Sequence, residues 1–203
     1  MSLETMLISI NGKEIAVAPF GPGKYSRLKK EILQQGMTPC KSSYLQKIVR
    51  ALVETEVDLD FGINKQKTKI QQVAYDFIYG RSKGVWFPSR LVFRDEGICV
   101  DDDTEPDLEK IFVPYDSMTS EETLRGTNFS RHQLMQAIFQ NGVKDWDEEL
   151  REGELWNCIN LNKHERGKYH HFGFLARSHA GPLFLNVASR KSCWAGYLFG
   201  EKK

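Results

Sequence analysis

Apolar and polar positions alternate along MLISINGKEIAVA, residues 6–18, on both sides of Asn11-Gly12. Asn and Gly accept the positive φ values of a two-residue hairpin turn, so the pattern predicts two short strands that pair Ile8 with Ile15 and Met6 with Val17 on one face. The period then changes from two to 3.6. Leu28 and Ile32 mark a helix over about 25–35, ended by Gly36; Leu45, Ile48, Val49 and Leu52 mark a second over about 42–55; Ile70, Val73, Ala74, Phe77 and Ile78 mark a third over about 64–79, ended by Gly80. Strand patterns follow near 85–94, 97–101 and 110–114, joined by Glu96-Gly97 and the acidic run DDDTEPDLE.

One further helix is predicted in NFSRHQLMQAIFQNG. Ser130 stands as its N-cap with Gln133 three residues on, Phe129 can staple to Leu134, and Gly142 lies past the end. After DWDEELREG the chain reads as a β-rich C-terminal third. The expectation is an α+β fold: an N-terminal β-hairpin, a three-helix region, then a mixed sheet with a further capped helix. Residues 1–126 and 127–203 form its two regions, which could join as one continuous domain.

With 203 residues, 40% of them hydrophobic and 11% aromatic, the chain can bury a sizeable core. Its apolar runs are far shorter than the roughly 20 residues of a membrane span, and no apolar signal core follows the N-terminus. Cys40, Cys99, Cys158 and Cys193 are widely spaced with no C-x-x-C pair, which fits reduced thiols and a cytoplasmic protein.

Net charge is only +1, yet its sign is segregated. Residues 22–83 carry 12 basic against 6 acidic groups and 84–126 carry 4 against 11. Residues 127–158 carry 3 against 6, and 159–203 carry 8 against 2. Two basic segments thus flank an acidic middle. Each can face an anionic partner or the acidic centre itself.

Three of the five histidines lie in KYHHFGFLARSH, residues 168–179. If NCINLNK and KYHHFGFLA are strands joined by HERG, Leu161 lies opposite His170, Asn160 opposite His171, and Ile159 opposite Phe172. Strand alternation then sends the two histidines to opposite faces, His170 beside apolar neighbours and His171 beside Asn160, Asn162 and Tyr169. A metal held by both is not expected, and no cofactor is implied. His171, with Asn160 and Tyr169, remains a candidate for general acid or base chemistry in a small hydrolase or transferase.

Other motifs fail on their own chemistry. FGPGKYS has Ala18 where a phosphate loop needs its first glycine and Tyr25 where the magnesium-binding hydroxyl belongs, so it reads as a strand-to-helix turn whose amides could still take an anion. SCWA echoes a papain-type cysteine signature, but it lies too late in the chain for a downstream histidine.

The lead-in NKQKTKIQQ carries the strongest functional signal. With Asn64 as cap, Lys65 and Lys67 would occupy a helical first turn, where positive charge opposes the helix dipole. Phosphates would offset that cost. Lys65, Gln66, Lys67, Lys69 and Gln71 are therefore candidate nucleic-acid contacts, joined by Lys163, Arg166, Lys168 and Arg177 from the second basic segment. Three helices followed by a strand pair also resemble the order of a winged helix, although Asp95-Glu96-Gly97 makes its tip acidic. The leading expectation is a nucleic-acid-associated binding protein. The alternatives are the enzyme about His171, or a module that recognises protein partners without catalysis.

Overall fold

A computed structural model describes residues 3–55, 68–79, 83–102, 111–114, 133–139, 155–157, 170–177, 183–189 and 195–202. The N-terminal hairpin is formed by β1 (Met6–Ile10) and β2 (Lys13–Gly23), with Ile8 paired to Ile15 and Met6 to Val17. Asn11 and Gly12 take φ of 50° and 75°, the left-handed pair that a two-residue turn requires. Helix α1 spans Tyr25–Gln34, and Gly36, at φ 69°, ends it. A two-residue strand β3 (Thr38–Pro39) and a 3-10 turn over Ser42–Tyr44 lead into α2 (Leu45–Glu54). Helix α3 follows at Lys69–Tyr79.

The strands β4 (Val85–Phe93), β5 (Gly97–Asp102) and β6 (Ile111–Pro114) fall close to the ranges expected from periodicity. Helix α4 covers Gln133–Phe139, and its expected cap and staple, Ser130 and Phe129, lie outside the described residues. The C-terminal third contributes β7 (Leu155–Asn157), β8 (His170–Arg177), β9 (Leu183–Ser189) and β10 (Gly196–Glu201).

These strands join in one mixed sheet, ordered β1-β2-β10-β4-β8-β9-β7, with β3 on β10 and the β5–β6 pair on β4. The β10–β4 and β7–β9 pairs are parallel and the others antiparallel. The sheet passes across residue 126, since β10 lies between β2 and β4, and β8 lies against β4. Among the described residues no helix is long and apolar enough to cross a membrane.

Alternation along β10 divides the core. Tyr197 and Phe199 pack with Val17, Val85 and Phe87 against α2, α3 and α4, through Ile48, Leu52, Phe77, Ile138 and Phe139 among others. Leu198, on the opposite face, joins Ala18, Phe20 and Trp86 beneath Tyr25, Leu28 and Ile32 of α1. The sheet is thus covered by helices on both faces, and β10 is buried from Gly196 to Gly200. Gly200 belongs to this packing, because a Cβ there would approach Ile32 Cγ2 to 2.9 Å.

The strand pair after the third helix does not stand alone: β4 is paired on both edges, with Arg90 opposite Asp101 of β5 and Phe172 of β8. Residues 159–162, expected opposite β8, lie outside the described residues. At His171 the two edges of β8 are taken by Leu91 of β4 and Ser189 of β9, and at Phe172 by Arg90 and Ala188.

Candidate functional site

The start of α3 is defined by a reciprocal pair of bonds. Thr68 N–H donates to Gln71 Oε1 at 3.1 Å, while Gln71 N–H donates to Thr68 Oγ1 at 3.2 Å. This is a capping box, T-x-x-Q, and it opens the helix at Lys69 instead of directly after Asn64. Gln71 is committed to that cap. Lys69 N–H donates to Glu4 Oε2 at 2.7 Å, which brings a carboxylate to the positive end of the helix dipole. The Lys69 ammonium, in turn, donates to the Gly21 carbonyl and lies 5.4 Å from the centre of the Tyr197 ring.

Gly21 lies in the last three residues of β2, just before α1. Three successive carbonyls at this strand end accept side-chain donors: Gly21 from Lys69, Pro22 from Arg27 at 2.9 Å, and Gly23 from Trp86 Nε1 at 2.9 Å. Gly21 takes φ +117°, and a Cβ there would meet the Gly196 carbonyl at 2.7 Å, so both backbone conformation and space demand glycine. Helix α1 then begins without a side-chain cap and without an acidic residue in its first turn. Its N-cap position is the exposed Lys24, whose carbonyl accepts from Arg27 and Leu28 N–H, each at 3.1 Å. The fold therefore sets the ammonium of Lys69 and the guanidinium of Arg27 on adjacent carbonyls beside the start of α1. Arg27 also pairs with Glu31 at 3.3 Å.

Behind Lys69 lies a buried polar network. The Tyr197 hydroxyl donates to Asp76 Oδ2 at 2.5 Å, Lys83 Nζ approaches the same oxygen at 2.9 Å, and Gln72 Nε2 donates to Oδ1 at 3.0 Å. Tyr197 is 1% exposed and Asp76 is 5% exposed. Burial first, then the hydrogen bond and negative charge of Asp76, raise the Tyr197 pKa far above that of an ordinary phenol, so it stays a proton donor at neutral pH. The network ties α3, β10 and the segment before β4 together.

The remaining predicted residues are distributed as follows. Lys65, Gln66, Lys67, Asn160, Lys163, Arg166, Lys168 and Tyr169 lie outside the described residues. Arg177 closes β8, where it pairs with Leu183. His171 pairs with Leu91 and His170 with Val92 of β4. Among the described residues no three His, Cys, Asp or Glu side chains come together as a metal ion would require.

Sequence reasoning missed Asp76, Lys83 and Tyr197, and it did not connect Lys24 or Arg27 with Lys69. Two signals were present. Thr68 stands three residues before Gln71, as a capping box requires, and Asp76 interrupts the apolar stripe of Val73, Phe77 and Ile78, where a carboxylate needs an internal partner. The chain matches no protein-family model, no curated protein and no solved structure.

Proposed function

We propose that this protein binds nucleic acid as a regulatory or accessory factor, contacting phosphates where the starts of α1 and α3 meet. The observation that carries this is the contact of Lys69 with the Gly21 carbonyl, which joins chain positions 48 residues apart. Through it, Lys69 at the start of α3 stands beside the uncapped start of α1, with Lys24 and Arg27, on one basic surface, and Lys65 and Lys67 precede Lys69 in sequence. Lys69 and Gln71 serve the architecture of that surface, so the proposed phosphate contacts are Lys24, Lys65 and Lys67, assisted by the first-turn amides of α1.

Fluorescence anisotropy with labelled single-stranded and duplex oligonucleotides at low salt tests this. Binding by the wild type is expected to weaken steeply with salt, and K24E/K65E/K67E is expected to lower affinity by roughly tenfold or more with an unchanged melting temperature. Absence of wild-type binding at low salt would overturn the proposal. Binding that ignores the triple substitution would overturn its placement.

A further inference from the structure

We draw no further inference here: the strongest candidate, the outer edge of the sheet at β1 with the uncharged run Met6–Ile10 and the 61%-exposed Leu7, carries nothing because nothing in the structure shows what covers it.

Discussion

Tyr197 donates its hydroxyl hydrogen bond to Asp76 across 121 positions of sequence, and both side chains are buried. The bond is one of three that converge on a single carboxylate, so its members are expected to contribute unequally. Tyr197→Phe leaves Asp76 with Lys83 and Gln72, and is expected to cost about 1–2 kcal/mol. Asp76→Ala strands a buried phenol and an amide without acceptors, and is expected to cost about 3 kcal/mol, while the half-exposed Lys83 relaxes into water. Urea denaturation of the two variants measures the difference, and equal costs would show that the carboxylate is not the hub.

The raised pKa of Tyr197 makes a prediction at alkaline pH. The unfolded chain releases the phenolic proton near pH 10, whereas the folded state holds it to higher pH. Its contribution is fully present below about pH 10 and is lost as pH rises toward the folded value, with a slope of up to about 1.4 kcal/mol per pH unit. Cys40 adds a similar loss from about pH 9, because burial first and the charge of Glu201 second push its thiol up. Stability measured from pH 8 upward should therefore fall less steeply above about pH 10 in Tyr197→Phe than in the wild type. Parallel curves would exclude the phenol as a source.

Two glycines with positive φ provide a second comparison. Gly12 has φ 75° with nothing within 4 Å of an added Cβ, so Gly12→Ala is expected to cost only the conformational penalty, about 1 kcal/mol. Gly21→Ala adds the collision with the Gly196 carbonyl and is expected to cost more. Thermal melts rank the two, and the reverse order would contradict the tight approach of β2 to β10.

Gln46 is 2% exposed, and neither its amide nitrogen nor its oxygen has a hydrogen-bond partner among the described residues. A buried amide without partners costs roughly 1–3 kcal/mol, so Gln46→Met, which keeps the side-chain length, is expected to raise the melting temperature. A lowered melting temperature would show that the amide is satisfied.

Features set by neighbours in sequence were legible. Asn11-Gly12 determines the hairpin register through its own dihedral preferences, and Leu28 with Ile32, or Val73 with Phe77, reveals a helix by spacing alone. The start of α3 was misplaced because Asn64 and Thr68 are both able caps, and only Thr68 has Gln71 in reach of the reciprocal bond. Strand partners were the main loss. The sequence around His171 is compatible with a local hairpin, but the observed neighbour is β4, some 80 residues earlier, joined through an irregular register between Phe87 and Arg90. Alternation tells which positions share a face without telling which strand lies beside them. The surroundings of Lys69 were half legible for the same reason: it is visible in a basic run with Lys65 and Lys67, whereas its nearness to Lys24 and Arg27 follows only from the tertiary contact at Gly21.

The position of β10 between β2 and β4 has a consequence for biosynthesis. A ribosome makes the hairpin first, but the partner for the inner edge of β2 is not translated until residues 196–201. At about 5–20 residues per second, that edge waits on the order of ten to forty seconds. Throughout that interval the nascent chain carries an open strand edge and the unfilled apolar seat of Tyr197 and Phe199. Its yield in a cell should consequently depend on what shields nascent chains, more than the stability of the finished sheet alone would suggest.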